Sequence, residues 1–339
     1  MPYRPLGATD VRVSALCLGT QTFGAQTTES DAHAQLDLAF AHGVNFVDTA
    51  EMYPFPPDAT TAGATETIVG NWLRSRRRRH EVVVATKVTG RSGASRPTRA
   101  RIEAAVDGSL RRLQTDYVDL YQLHWPDRYT NFFGRLGYAP DPDADFIPLE
   151  DQLEVLHHLV TAGKIRHVGV SNETPWGVMT FLRLGETRGW PRVVSIQNPY
   201  SLLNRSFEVG LAEVAIRERC GLLAYSPLGF GLLTGKYTTS RTPAGTRLAQ
   251  FPHASRRYTA PRSAAAADVY VRIARKHGLD PAQMALAFAT SRPFVTSTIV
   301  GATTAEQLAS NVASLDVTLS DEVLHDIEAA HDADRYPCP

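Results

Sequence analysis

The sequence has few cysteines, and none of them lie close together. Cys17, Cys220 and Cys338 are the three in a chain of 339 residues. No C-x-x-C pair of the kind used by zinc and redox sites occurs, and a disulfide framework needs more cysteines at shorter spacings. The pattern argues against a disulfide-stabilised secreted scaffold and favours a reducing compartment. We therefore expect a cytoplasmic protein without a bound metal.

An excess of charge of either sign is also missing. Lys and Arg together number 35, and Asp and Glu together number 35. The chain therefore has no net field that would attract nucleic acid or an anionic membrane. The densest basic run, residues 76–79 followed by His80, falls at a predicted helix end, where cations complement the helix dipole. We interpret it as a solvated helix end and expect neither nucleic acid nor membrane partners.

Long apolar runs are absent as well. No stretch approaches the roughly 18 apolar residues that a membrane span needs, and the first ten residues, MPYRPLGATD, lack the apolar core of a secretory signal. Hydrophobic residues make up 43% and charged residues 21% of the chain, as in folded globular proteins. No linker or shift in composition divides the sequence. We therefore predict a single domain over residues 1–339, and its oligomeric state stays open.

Short apolar runs alternate with helical patterns throughout the chain. Eight runs have the character of strands, at residues 15–19, 44–48, 82–87, 117–124, 167–171, 193–197, 221–225 and 297–300. Helical patterns follow them at 30–42, 66–76, 99–113, 149–162, 176–188, 207–220, 282–290 and 305–315, with Ser30 as the predicted cap of the first. Eight strands in β-then-α order predict a (β/α)8 TIM barrel. A hairpin at residues 3–14 is predicted to cap one end, and a further helix begins at Ser320.

Two stretches do not fit this repeat, residues 125–148 and 228–261. Each leaves a predicted strand and is too long for a simple connection, and long loops in compact domains are usually lids or binding loops. Both are predicted at the carboxyl-terminal mouth of the barrel. The first contains Trp125, Tyr129, Phe132, Phe133 and Tyr138, which suggests either an aromatic-lined lid or a loop that packs on itself.

Three consecutive strands end on ionisable side chains, Asp48, Lys87 and His124, and Tyr53 follows Asp48 by five residues. The carboxyl ends of barrel strands open onto one mouth, where such folds carry out chemistry. A cation beside a phenol favours phenolate, and a carboxylate keeps the lysine charged, so we expect a lowered pKa for Tyr53 and a role in acid–base catalysis. Taken singly, each residue has a structural interpretation in packing, capping or an ion pair.

The segments FVDTAEMY, ATK and LYQLHW resemble the Asp, Tyr, Lys and His motifs of the aldo-keto reductase superfamily. The similarity extends over most of the chain and includes LGTQTFG at 18–24, GKIRHVGVSN at 163–172 and LLAYSPLGFGLLTGKY at 222–237. Longer strings, among them YTNFFGRLGY, are similar to one bacterial subgroup of the family. The resemblance implies a TIM barrel that reduces carbonyl compounds with NADPH, with Tyr53 as general acid, Asp48 and Lys87 tuning it and His124 orienting the substrate.

The resemblance also implies a set of cofactor-binding residues. Ser171, Asn172 and Gln197 would hold the nicotinamide carboxamide, and Tyr225 would stack on the ring. Ser226, Leu228 and Gly231 would surround the pyrophosphate. The alternatives are a helix cap for Ser171 and Asn172 and ordinary barrel-end packing for Gln197 and Tyr225.

Positions implied for the adenosine part are Thr303, Gln307 and Asn311. A capping box formed by Thr304 and Gln307 would also explain the glutamine. The chain departs from many family members at Gly301, where they carry a lysine for the 2′-phosphate, and at Gln307, where they carry an arginine. Lys236 and Arg247 are then the nearby cations on a loop able to fold over the cofactor, and Arg247 offers a bidentate grip on phosphate.

Two other functions are alternatives to a carbonyl reductase. A cofactor-binding regulatory protein, of the kind that the potassium-channel β subunits represent, would use the same barrel with turnover secondary. The complete set of four catalytic residues and the lack of an added interaction domain favour an enzyme, although fold alone does not fix function. A metal-dependent barrel hydrolase is disfavoured because no carboxylate or His-x-His cluster stands at the strand ends. The sequence does not identify the carbonyl substrate.

Overall fold

Eight parallel strands close into a barrel in the computed structural model, which describes residues 1–88, 96–131, 134, 136–141, 143–237, 242–251 and 256–339. Around the barrel the strands follow chain order, with the last beside the first. They are β3 Leu16–Gly19, β4 Phe46–Asp48, β5 Val83–Val88, β6 Val118–Leu123, β7 Ile165–Ser171, β8 Val193–Pro199, β9 Gly221–Tyr225 and β10 Val295–Val300. The predicted TIM barrel is confirmed.

Helices separate the barrel strands and surround them. Six of them follow the first six strands: α1 Glu29–Ala41, α2 Ala64–Arg76, α3 Arg99–Leu113, α4 Leu149–Thr161, α5 Pro175–Arg188 and α6 Leu211–Arg217. The connection from β9 to β10 holds α7 Arg247–Gln250, α8 Arg256–Thr259, α9 Pro261–Lys276 and α10 Pro281–Ser291. After β10 come α11 Ala305–Ala313 and the extra carboxyl-terminal helix, α12 Asp321–Ala333, which Ser320 caps as predicted.

The predicted hairpin, β1 Tyr3–Pro5 and β2 Arg12–Ser14, closes the amino-terminal end of the barrel. Leu6 is fully buried among inward-facing strand residues that include Phe46 and Leu120. Arg4 donates to the backbone oxygens of Val295 and Thr290, at 2.6 and 2.8 Å. Leu6 and the inward-facing apolar residues around it fill the amino-terminal end of the barrel, and we call this cluster the apolar plug. The polar side chains of the predicted site therefore lie at the opposite end.

The cap of the first helix differs from the prediction. Thr28, and not Ser30, caps α1, and its hydroxyl accepts a hydrogen bond from the backbone N–H of Asp31 at 3.2 Å. The Thr28 hydroxyl also donates to the Asp31 carboxylate at 2.7 Å. A threonine with an acidic residue three positions later satisfies the first helical N–H groups better than a serine already inside the helix.

Two other helix predictions need correction. The helix predicted over 207–220 is a short 3-10 helix, Ser206–Val209, followed by α6, because Gly210 adopts φ −150° and ψ −36° and interrupts the helical backbone. Helix α9 lies in a stretch that the sequence interpretation predicts as a long loop up to residue 261 and assigns to no element beyond it. Its buried residues are Ser263, Ala266, Ala267, Tyr270, Val271, Ile273 and Ala274, so alanines make up much of a face that is strongly apolar in most helices.

The basic run at the end of α2 is tied to neighbouring acids. Arg76 pairs with Asp37 at 2.7 Å, and Arg79 pairs with Asp119 at 2.7 Å. These partners account for the run as a structural helix end. No helix in the described part of the chain is long and apolar enough to cross a membrane.

Candidate active site

Strand alternation places the predicted catalytic residues inside the barrel. Side chains two positions apart on a strand share a face. Phe46 and Ala85 belong to the apolar plug, so Asp48 and Lys87, two positions further along the same strands, also point into the barrel. Lys87 is fully buried, and its Nζ donates to Asp48 Oδ2 at 2.6 Å and to the backbone oxygen of Thr49 at 2.8 Å. The ion pair thus forms the polar layer directly above the plug.

Tyr53 and His124 lie above this pair at the mouth. The Lys87 Nζ is 5.1 Å from the centroid of the Tyr53 ring. The rings of Tyr53 and His124 meet edge to face, with centroids 5.9 Å apart, and Trp125 stacks on His124 at 5.4 Å. The four residues predicted from strand ends are therefore brought together in one cluster.

Burial sets the pKa of the phenol. It raises the pKa of Tyr53 above its usual value, and Asp48 adds to this, while the charge and hydrogen bonding of Lys87 act in the opposite sense without cancelling it. The sequence-based expectation of a lowered pKa is wrong because desolvation in the barrel outweighs the ammonium. At neutral pH the phenol therefore carries its proton, which is the form that a general acid needs.

Lys87 is charged, whereas His124 is neutral. Burial alone would lower the pKa of Lys87, but attraction to Asp48 and Tyr53 outweighs burial and raises it, so the lysine stays charged. Burial, followed by repulsion from Lys87, lowers the pKa of His124 well below its usual value. The imidazole is therefore neutral, and its Nδ1 has no hydrogen-bond partner among the described residues.

A neutral buried histidine makes stability depend on pH. Below about pH 6.5 the unfolded chain takes up a proton at His124 that the folded protein refuses, so stability is lost as the pH falls. His124→Gln should flatten this dependence by up to about 1.4 kcal/mol per pH unit between about pH 5 and 6.5. Urea unfolding across that range measures it. His167→Gln is a comparison, since burial lowers the pKa of His167 as well; a dependence in His124→Gln as steep as that of the wild type would contradict the assignment.

The predicted carboxamide residues join the catalytic cluster through hydrogen bonds. Gln197 donates from Nε2 to Asp48 Oδ1 at 2.8 Å. Asn172 donates from Nδ2 to the backbone oxygen of His124 at 2.9 Å and accepts from the Tyr225 hydroxyl at 2.6 Å. Ser171 donates to the backbone oxygen of Gln197 at 2.7 Å. The four side chains form a preorganised wall beside Tyr53 and His124.

The alternative role of Ser171 and Asn172 as helix caps does not apply. Helix α5 is capped by Thr174, whose hydroxyl accepts from the N–H of Gly177 at 3.4 Å. Asn172 instead adopts φ 56°, in the left-handed region, which an asparagine tolerates better than most residues. Ser171 and Asn172, at the end of β7, therefore do not cap helix α5.

Gln122 is a member of this network that sequence reasoning missed. It is fully buried, donates from Nε2 to Asp48 Oδ1 at 3.3 Å and accepts from Gln197 Nε2 at 3.2 Å. It therefore bridges the carboxylate to the predicted carboxamide glutamine. The available signal was its position two residues before His124, which puts both side chains on the inward face of β6.

One cavity of about 1220 Å³ is lined by all of the predicted site residues except Lys87, which lies beneath it. Besides the other three predicted catalytic residues, the predicted carboxamide residues and Tyr225, the predicted site residues in its lining are Ser226, Leu228, Gly231, Lys236, Arg247, Gly301, Thr303, Gln307 and Asn311. Ser226 has φ 54° and Gly231 φ 92°, so the chain turns repeatedly there and presents its backbone to the cavity. The cavity also includes Arg256 and Arg257, two cations that the sequence interpretation overlooked when it named only Lys236 and Arg247.

Residues 242–251 lie across the cavity and are tied to the loop after β3. Arg247 donates to Gln21 Oε1 at 2.6 Å, and Gln26 donates to Gln250 Oε1 at 2.6 Å. The Arg247 guanidinium also lies 4.3 Å from the ring centroid of Phe230 and 5.1 Å from that of Phe55. Burial lowers the pKa of Arg247 to about 10, so the loop holds a largely enclosed cation over the cavity.

The residues predicted to bind the adenosine part form a helix cap and also line the cavity, so both interpretations remain. Thr304 caps α11 and accepts from the N–H of Gln307 at 3.3 Å, and Gln307 Oε1 accepts from the N–H of Thr303 at 3.1 Å. Asn311 donates to the backbone oxygen of Gly301 at 3.3 Å. The cap is therefore present, and the same side chains still line the cavity.

The described aromatic residues of the predicted loop at 125–148 line two different spaces. Trp125 lines the cavity of the predicted site, whereas Tyr129 and Tyr138 line a separate groove beside it. Phe132 and Phe133 lie outside the described residues. Among the described residues no group of three or more side chains is arranged to hold a metal ion, and the three cysteines are free and buried.

Comparison with known proteins identifies the class that this barrel and site define. The aldo/keto reductase family model matches residues 15–332. The chain belongs to this family, whose members are oxidoreductases that act on carbonyl groups. Among its relatives, the protein Tas of Escherichia coli is 53% identical over the full length of both chains. An uncharacterized oxidoreductase of Bacillus subtilis, YrpG, is 33% identical over 96% of this chain and 94% of its own.

A third relative has a named substrate. The norsolorinic acid reductase of Emericella nidulans is 29% identical over 94% of this chain and 78% of its own. The resemblance to a bacterial subgroup, stated above from longer strings, is confirmed by the match to Tas.

Proposed function

We propose that the protein is an NADPH-dependent reductase of aldehydes or ketones, in which Tyr53 is the general acid. The observation that carries this proposal is the cluster of a protonated phenol, a charged buried lysine and a neutral imidazole around one cavity. Each group is in the charge state that carbonyl reduction requires. The bound nicotinamide would supply the hydride.

The chain's own residues would handle the carbonyl oxygen and its proton. His124 is neutral and buried, so it can hydrogen-bond the oxygen without competing for the proton. Tyr53 then donates its hydroxyl proton as negative charge develops on that oxygen. Lys87 stabilises the phenolate that remains, and Asp48 keeps the ammonium in place at 2.6 Å.

The cavity has the donors and charge that a dinucleotide needs. An amide group calls for both donors and acceptors, which Asn172, Gln197 and Ser171 offer in one wall. Lys236, Arg247, Arg256 and Arg257 provide positive charge along the lining for phosphates. Arg247 Nε has no partner among the described residues, so the guanidinium retains a donor for a ligand.

A carbonyl panel with NADPH tests the proposal. Aldehydes and ketones of increasing size are offered to the protein, and the loss of reduced nicotinamide is followed by its absorbance. Turnover that stops in the Tyr53→Phe variant would support the reductase. A protein that binds NADPH tightly and turns over none of the panel would contradict it.

Cofactor choice gives a separate prediction. Arg247→Ala should weaken NADPH binding by about 1 to 3 kcal/mol, the scale of a charge-assisted hydrogen bond, and NADH binding far less. Fluorescence titration of both cofactors measures the two losses, and Arg256→Ala serves as a comparison because Arg256 lines the same cavity. Equal losses for NADPH and NADH would assign Arg247 to the pyrophosphate that both share.

A further inference from the structure

A groove of about 1080 Å³ lies beside the catalytic cavity. Its lining comes from residues 128–131, 136, 138, 141, 144 and 146, the start of α5, residues between 198 and 211, and Tyr336 and Pro339. Neither Tyr53 nor His124 lines it. Its volume is that of a site for a small organic molecule of several rings.

Exposed apolar side chains concentrate on this groove. Nine large hydrophobic residues are exposed in the described part of the chain, and six of them line it: Tyr129, Leu136, Tyr138, Phe146, Trp176 and Val209. Trp176 is 57% exposed and Tyr138 66%. Apolar surface gathered in a concave site, instead of scattered singly, marks a place where something binds.

The cationic and anionic side chains that line the groove are equal in number. Arg128 is paired with the buried carboxylate of Glu173 and lies 4.8 Å over the Trp176 ring. The other charged residues in the lining are Arg257 and Asp141. Two cationic and two carboxylate side chains line the groove, whereas cationic side chains outnumber carboxylates in the lining of the first cavity. The aromatic rim favours a flat ring that can stack.

A shared wall separates the groove from the catalytic cavity. Asn172, Tyr225 and Arg257 line both spaces. Gly134 of the first cavity donates its N–H to the backbone oxygen of Pro339, which lines the second, at 2.7 Å. A molecule in the groove would therefore contact this shared wall, and Tyr53 is not among the residues that line the groove.

We propose that this groove is a second ligand site, which binds an uncharged molecule with a flat aromatic ring system. The site is distinct from the one that takes the carbonyl substrate, and its occupant contacts Tyr225 and Asn172 on the side away from Tyr53. Binding in the groove requires no turnover, so this inference does not depend on the reductase activity proposed above.

N-phenyl-1-naphthylamine, a neutral aromatic dye whose fluorescence rises in apolar sites, is a suitable probe. The wild-type protein should bind it saturably. Trp176→Ala and Tyr138→Ala should each weaken its binding about fivefold or more, as expected for the loss of a stacking ring. Both residues are largely exposed, so neither variant should disturb the fold.

Two control variants locate the probe. Met179→Ala lies on the same helix as Trp176 and outside the groove, with Met179 41% exposed, and Trp125→Ala removes a ring of the catalytic cavity; both should bind the dye within about twofold of wild type. Loss of affinity in Trp125→Ala alone would place the dye in the catalytic cavity and overturn the proposal. So would unchanged binding in Trp176→Ala.

Self-association is the other outcome that would overturn it. Sedimentation velocity of the wild type and of Trp176→Ala would show whether this apolar surface joins two copies of the chain. A dimer that Trp176→Ala abolishes would make the groove an interface between copies, whereas the same oligomeric state in both proteins supports a small-molecule site.

Discussion

Tyr53→Phe should yield a folded protein that binds NADPH normally and reduces carbonyl substrates about 10²- to 10⁴-fold more slowly, the usual contribution of a general acid. The change removes one hydroxyl and keeps the ring that packs edge to face with His124 at 5.9 Å. His124 is neutral and the Lys87 ammonium is held by Asp48 and the backbone of Thr49, so we expect neither neighbour to replace the phenol as the proton donor. Steady-state rates and cofactor titration together measure the effect.

A second tyrosine provides the matched control. The Tyr121 hydroxyl is buried on the outward face of β6 and has no hydrogen-bond partner among the described residues. Tyr121→Phe makes the same chemical change outside the cavity and should leave the rate within about twofold of wild type. Activity of Tyr53→Phe at the level of this control would remove Tyr53 from the proposed mechanism.

The same site predicts the pH profile. Burial raises the pKa of Tyr53 above its usual value of 10.0, so the phenol stays protonated through neutral and mildly basic solution. Carbonyl reduction should therefore hold its rate across that range and fall only above about pH 10. A basic limb near neutrality would show that the bound state of the site lowers the pKa, as the sequence had suggested.

Much of the fold could be predicted from the sequence because the apolar runs of the strands and the ionisable residues at their ends form distinctive patterns. The eight strand positions were predicted to within a few residues, since each is a short apolar run bounded by polar residues. The cluster of Asp48, Lys87 and His124 followed from the rule that barrel strands point their carboxyl ends to one mouth. These inferences need only local patterns and one topological rule.

The rest depended on packing that no local pattern encodes. The direction of the Tyr53 pKa shift is set by competition between burial and Lys87, and sequence shows the neighbour but not the desolvation. Helix α9 was not predicted, although the loop that carries Arg247 was expected to fold over the cavity, where Gly245, Thr246 and Arg247 are part of the lining. The position of Gln122 on β6 indicates that it faces inward, but its partners depend on the barrel closing, which brings Gln122 and Gln197 to the same oxygen of Asp48.

Lys87→Met should depress turnover by about 10²-fold or more, because the phenolate left after proton donation loses its cation. It should also lower the free energy of unfolding by about 3 to 5 kcal/mol, the usual cost of removing one partner of a buried ion pair. Asp48 is 2% exposed, and without Lys87 its carboxylate keeps, among the residues that the structure describes, the amide donors Gln197 and Gln122. A slow enzyme could therefore reflect lost chemistry or a damaged fold.

The double variant Lys87→Met/Asp48→Asn separates these two causes. Asparagine removes the unpaired buried charge and keeps an oxygen for the Gln197 and Gln122 amides, so most of the lost stability should return. The cation beside the phenol is still absent, so turnover should stay as low as in the single variant. Urea unfolding and steady-state rates on the wild type, Lys87→Met and the double variant provide the comparison. If activity returned along with stability, Lys87 would be a structural residue and its part in the proposed mechanism would fall.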